Sequence, residues 1–402
     1  LPASGAPIPH LVTVPAYSRQ TVDVGSVAGL ANAEFSTVLE SDQLVVLDRL
    51  MSWDANGYGS TSETAIPSLS TEWFLAEGAT HSGLELFYLL QNPHPTAVTA
   101  TVTFLRPTPL APIVKQFTLQ PQSRFNVWVD VVDPALASTD VSAVVTATQP
   151  IAVERALYLS RPGQLFTAGH ESAGVTAPSL TWFLAEGATG PYFDEFVLLA
   201  NPAPTAARAR VTFLKPDGST VVQFHDIAPQ SRSTIWVDYA DPSLADTAVS
   251  TTVEVTNNVA IVVERALWWP GDASRWYEAH NSPGATSTGQ AWIVASGVDG
   301  GPADAETFVL VANTADIPAE VRVTVLFEDA TSVVRTFNVN ARSRFNVEMR
   351  AEFPAVAGRR FGVQVESIGL GNAPIVVESA IYGDAFGLTW HAGANALATK
   401  LR

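Results

Sequence analysis

The chain has 402 residues, 47% apolar and 15% charged, a balance that fits filled cores and excludes intrinsic disorder. With 22 basic against 39 acidic residues its formal net charge is −17, so nucleic acid and anionic lipid are repelled, and neither is expected as a partner. Cysteine is absent, which excludes disulfides, thiolate metal sites and cysteine nucleophiles, and no apolar run approaches the roughly 18 residues of a membrane span.

In chain order, Leu1 opens the string LPASG, a coincidental match to a sortase signal, because such signals stand near a C-terminus ahead of an apolar tail. No signal peptide begins at Leu1, so an exported chain is expected to have carried its signal upstream. Residues 1–71 match only the second half of a unit that recurs along the rest of the chain: VTVPAYSRQTVDV aligns with FTLQPQSRFNVWVD, and LVVLDRLMSW with IAVERALYLS. WFLAEGAT starts at Trp73 and again at Trp182, and a weaker copy, WIVASGVD, starts at Trp292, so the spacings are 109 and 110 residues. A Ser-Arg pair recurs at Arg19, Arg124, Arg232 and Arg344, and a late acidic residue at Asp48, Glu154, Glu264 and Glu378. The period defines a partial unit over 1–71 and complete units over 72–180, 181–290 and 291–402.

Inside a unit the pattern is β. VTATVTFL (98–105) and VRVTVLF (321–327) alternate with period two, and turn signals recur every 8–14 residues. The segments DPALAS and DPSLAD read as single helical turns with Asp at the N-cap and Pro at N1. The expected fold is all-β, a tandem array of immunoglobulin-like β-sandwich modules, with a barrel as the alternative. A half-sandwich over residues 1–71 would expose an apolar face and open strand edges. Its cover is expected from strands of a neighbouring copy, from upstream sequence, or from packing on the next unit.

The string W-F-x-A-E-G-x-T, then L-x-N-P, S-R and E-R, resembles a repeat of about 110 residues found in secreted bacterial surface proteins. The last unit departs from it with Ser296 for Glu, Asn313-Thr314 for Asn-Pro and Ser379 for Arg. The resemblance implies an extracellular, non-catalytic role and supplies neither ligand nor reaction.

Charges recurring inside apolar strands need partners. Glu77 and Glu186 accompany Arg155 and Arg265, whereas the last unit has Ser296 and Ser379 in both places, so the joint loss predicts Glu77–Arg155 and Glu186–Arg265 ion pairs. The residues that persist in every copy predict a second set: Arg19–Asp48, Arg124–Glu154, Arg232–Glu264 and Arg344–Glu378. His170, His280 and His391 recur near unit ends, which points to structural histidines, since one active site is not normally repeated three times. Asp130, Asp133 and Asp140, matched by Asp238, Asp241 and Asp246, are weak calcium candidates on loops, with turn capping as the alternative. The aromatic group Trp268, Trp269, Trp276 and Tyr277 offers either a sugar platform or packing between units.

No nucleophile–base motif, metal motif or phosphate loop stands out, and no cofactor is expected. The function expected is structural: a surface stalk, sheath or filament subunit, exported, that self-associates with neighbouring copies and polymerises by completion of its half-unit. An adhesin or carbohydrate-binding region with a glycan or surface ligand is the alternative.

Overall fold

The computed structural model describes residues 7–53, 59–271, 276–369, 371, 373–385 and 387–402. The LPASG opening lies outside them. Strands hold 56% of residues and helices 6%, which makes the chain all-β. No helix among the described residues is long and apolar enough to cross a membrane.

The stretch from 181 to 283 shows the plan. Its eight strands are Thr181–Leu184, Asp194–Asn201, Ala207–Leu214, Thr220–Ile227, Ser231–Trp236, Ser250–Val255, Val262–Trp269 and Glu278–Pro283. They form two antiparallel sheets, ordered first-sixth-third-fourth and eighth-seventh-second-fifth. The alternation read from the sequence puts Ala207, Ala209, Val211 and Phe213 into the core between the sheets. The stretches 70–173 and 291–397 repeat this order; in the former, the sixth and seventh strands run on as one long strand, Ser142–Arg161. Because the first strand pairs with the sixth, the order differs from that of constant-type immunoglobulin domains, in which the first pairs with the second.

The recurring residues fix the corners of this plan. The indole N–H of Trp73, Trp182 and Trp292 donates to the carbonyl of Ile151, Ile261 and Ile375, at 2.9, 2.9 and 3.0 Å. The buried amide of Asn92, Asn201 and Asn313 closes the corner after the second strand by donating to Thr96, Thr205 and Ile317, which explains why Asn persists where Pro does not. The residue before each Ser-Arg pair holds a left-handed φ: Tyr17, Gln122, Gln230 and Arg342, between 47° and 54°.

Among the described residues of the leading unit only the seventh and eighth strands form, as the antiparallel pair Asp48–Trp53 and Gly59–Thr64. The segments Val12–Val14 and Val22–Val24, which align with strands of the complete units, form no strand; Val24–Ser26 is a single 3-10 turn. The reason is topological. In complete units the fourth strand pairs with the third and the fifth with the second, and residues 1–71 contain neither partner.

The units do not run in a line. The last strand of each, Gly59–Thr64, Gln164–Ala173, Glu278–Pro283 and Leu388–Leu397, lies innermost. Gly59–Thr64 packs on both Gln164–Ala173 and Leu388–Leu397, and Glu278–Pro283 packs on the same two. Four units therefore close around one axis, with the leading half-unit between the last unit and the first.

Candidate functional site

The repeated ionisable residues converge on the joints of this ring. Arg155 is fully buried. It lies 3.2 Å from Glu77 of its own unit and 2.6 Å from Glu264 of the next, and also donates to Ser172 and, across the joint, to Asn281 at 2.7 Å. Arg265 repeats the arrangement with Glu186 and, in the next unit, Glu378, both at 2.9 Å, and with Asn395 at 3.0 Å. Arg49 reaches Glu154 and Glu171 of the following unit, each at 3.0 Å. The pairs inferred from joint loss, Glu77–Arg155 and Glu186–Arg265, are thus made, and each Arg carries a second carboxylate from its neighbour.

The second expected set is not made. Glu264 and Glu378 are taken by the Arg of the preceding unit, and their other oxygens accept the backbone N–H of Ala76 and Ala185, both at 2.7 Å. Asp48 likewise accepts from Ala295 of the last unit, at 2.8 Å. Arg232 donates to the Gly78 carbonyl at 2.9 Å, Arg344 to the Gly187 carbonyl, and Arg19 to the Ala295 carbonyl at 2.7 Å. The persistent Arg and acid therefore meet the same segment rather than each other, and clamp the N–H and C=O groups of the neighbour's Ala-Glu-Gly segment, or of Ala295 in the last unit's Ala-Ser-Gly. Buried backbone groups need such partners whatever side chain they carry. That is why these residues persist where Glu becomes Ser296, whereas the Glu and Arg that serve each other vanish together. Arg124 and Glu154 are the exception: Arg124 donates to Asn126 at 3.0 Å, and Glu154 bonds Arg49.

His170 and His280 sit 3.4 Å from Glu77 and Glu186, and burial pushes the His280 imidazole down. His391 is not their counterpart. His170 faces Leu157 and His280 faces Leu267 in the inner hairpins, whereas Ala394 faces Ile381 at that register; His391 lies against Tyr277, with ring centroids 4.4 Å apart.

The six loop aspartates are spread over separate tasks. Asp130 accepts from Leu86 N–H, and Asp238 from Gly190 and Glu195 N–H. Asp133 and Asp241 cap the 3-10 turns expected there. Asp140 lies 3.2 Å from both His81 and Arg232, and Asp246 stands against Gly190. Among the described residues no three His, Asp or Glu converge as metal ligands. The aromatic group is spent inside the molecule. Trp269 donates to the Trp390 carbonyl of the last unit at 2.7 Å and packs on Tyr382, and Trp276 stacks on Trp268.

Sequence comparison of the copies misses Glu278. Its carboxylate lies at the axis and accepts four backbone N–H bonds, one from each unit: Ser60 (2.9 Å), Ala279 (3.0 Å), Gly169 (3.3 Å) and Gly393 (3.4 Å). Burial raises its pKa well above the carboxylate range, against the pull of those four donors. The matching residues are Gly59, Ala168 and Ala392, so a lone Glu among small residues was the available signal.

No family model matches the chain, and no curated protein does. Among solved structures it is similar to Thermotoga maritima 1070, at 20% identity over 27% of this chain and 96% of that one, with a TM-score of 0.25.

Proposed function

We propose that the chain is a non-catalytic, extracellular structural building block in which β-sandwich modules are tied into a ring. Each complete unit is read as a self-contained module, immunoglobulin-like in the broad sense of two packed antiparallel sheets though not in strand order. The observation that carries the reading is the use of the repeated ionisable residues. Arg155, Arg265, Glu264 and Glu378 are buried and join unit to unit rather than lining a cleft. The resemblance to repeats of secreted bacterial surface proteins supports export, and neighbouring copies are the partners such a role needs. A glycan-binding role has less support, because the aromatic residues that would serve it are packed inside the molecule, Trp269 and Tyr277 toward the last unit and Trp268 and Trp276 toward the first.

Immunogold labelling of intact cells should find the protein on the outer surface; label restricted to lysed cells would overturn the localisation. Screening the purified chain on peptide, ester and glycoside substrates should give only background. Turnover abolished by one substitution would overturn the structural reading.

A further inference from the structure

Each complete unit ends one of its sheets on its fourth strand: Ile113–Leu119, Thr220–Ile227 or Ser332–Val339. Among the described residues this strand pairs with the third strand alone, so its other edge is open. In the second unit the Arg208 carbonyl points toward the sixth strand and accepts from Thr256 N–H at 2.7 Å. Its antiparallel partner Asp226 therefore turns its own N–H and C=O outward, and by alternation so do Phe224, Val222 and Thr220. An open strand edge of this kind is a template for another strand.

The three edges are not alike. Val114, Val222 and Val334 share one place in the repeat and are 58%, 50% and 53% exposed. Next to them, the first and last units put a cation in mid-strand: Lys115, 2.8 Å from Asp133, and Arg335, paired with Glu352. A charge there opposes strand addition, because pairing would take it out of water. The second unit has Gln223 instead, whose amide donates to the Ala240 carbonyl. Where the others have Gln116 and Thr336 it has Phe224, 56% exposed, with the Arg208 guanidinium 5.5 Å from the ring centroid. From Thr220 to Phe224 the edge is rich in β-branched and aromatic residues and carries neither charge nor proline.

We propose that Thr220–Ile227 is a self-association edge, to which a second copy adds its own Thr220–Ile227, antiparallel, about a two-fold axis through Gln223. In that register Val222 lies opposite Phe224 twice, a β-branched residue against an aromatic, and Thr220 lies opposite Asp226, so no like charges meet. These four residues are the ones whose backbone groups face outward, so the hydrogen-bond ladder and the side-chain pairs require the same register. The strand is its own complement, which selects a second copy as the occupant, and a two-fold contact closes as a dimer. The assignment rests on the structural role proposed for the chain, but the two can fail separately: turnover would sink that role and leave the dimer, whereas a monomer would sink the edge and leave the absence of turnover.

The test is sedimentation equilibrium of the full chain, with amide hydrogen exchange followed across the same concentrations. Expected are reversible association to twice the chain mass and slower exchange at Val222 and Phe224 as the dimer forms. Gln223→Lys installs in the second unit the cation that Lys115 supplies in the first, and should weaken the dimer about tenfold or more while the fold persists. Phe224→Lys should do the same, whereas Thr336→Lys, at the matching place of the last unit, should leave the dimer intact. A chain that stays monomeric up to about 1 mM would overturn the proposal. So would a dimer that both second-unit variants leave unchanged, or one that forms with no protection at Val222 and Phe224.

Discussion

The first complete unit meets a neighbour on each side, and its two joints use the same repeat positions to different effect. Toward the second unit, Arg155 lies buried between Glu77 and Glu264, while Arg232 clamps Gly78 and reaches Asp140. Toward the leading unit, Arg49 is 44% exposed and is the cation shared by Glu154 and Glu171, with Glu63 close by. The repeat positions are the same, so the difference comes from what surrounds them. A complete sandwich buries the bridging Arg and supplies a backbone segment to clamp; the half-sandwich buries Glu63 and Glu171 but leaves Arg49 partly in water and supplies no such segment.

The largest consequence falls on the buried arginine. Arg155→Ala strands Glu264 without a cation inside the joint, leaves Glu77 with its His170 contact alone, and should cost about 3–5 kcal/mol in denaturant unfolding. Arg49→Ala, at the matching position of the open joint, should cost about 1 kcal/mol or less, because its guanidinium and Glu154 are partly solvated. Equal costs would show that the two joints are closed alike.

Next is the axis. Glu278→Ala removes the acceptor of four buried N–H groups and should cost about 1–3 kcal/mol or more. The distinctive readout is hydrogen exchange: Ser60, Gly169, Ala279 and Gly393, in four different units, should speed up together. Acceleration at Ala279 alone would break the four-way junction.

The joints should also respond oppositely to pH. Burial raises Glu63 and Glu171 to about 8, Arg49 opposing and the neighbouring Glu154 assisting. Between the ordinary Glu value of 4.5 and about 8 the folded joint then holds more protons than the unfolded chain, so its stability falls as pH rises through that window. Burial also acts on Glu77, but His170 and Arg155 outweigh it and hold the carboxyl below its ordinary value. That contribution is present above 4.5 and is lost on acidification. Exchange of the strands Asp48–Trp53 and Gly59–Thr64 should therefore loosen, after correction for intrinsic rates, from pH 5 to pH 8, while the Glu77–Arg155 contact loosens in acid. Parallel responses at the two joints would contradict these assignments.

The sequence carried much of this. Strand alternation, the three-fold period and the capping aspartates are local patterns, and local patterns survive without coordinates. The joint loss at Ser296 and Ser379 marked Glu77–Arg155 and Glu186–Arg265, because a pair that serves itself disappears as a pair. The persistent set was misread for a related reason. Arg232 and Glu264 recur together because each serves the same backbone turn, and correlated presence cannot separate direct contact from a shared third party. Ring closure and the role of Glu278 were out of reach. They depend on the packing of inner strands far apart in sequence, and the matching residues Gly59, Ala168 and Ala392 carry no charge to compare.

The smallest effect separates two copies of the same repeat arginine. Arg124 and Arg232 occupy the same place in the repeat, each after a left-handed turn at Gln122 or Gln230. Arg232 is buried against Gly78 and Asp140, so Arg232→Ala leaves an acceptor unmet and should cost about 1–3 kcal/mol. Arg124 has Asn126 as its hydrogen-bond partner and remains partly in water, so Arg124→Ala should fall within about ±0.5 kcal/mol. Equal costs in denaturant unfolding would show that the repeat position, and not what surrounds it, sets the contribution of the arginine.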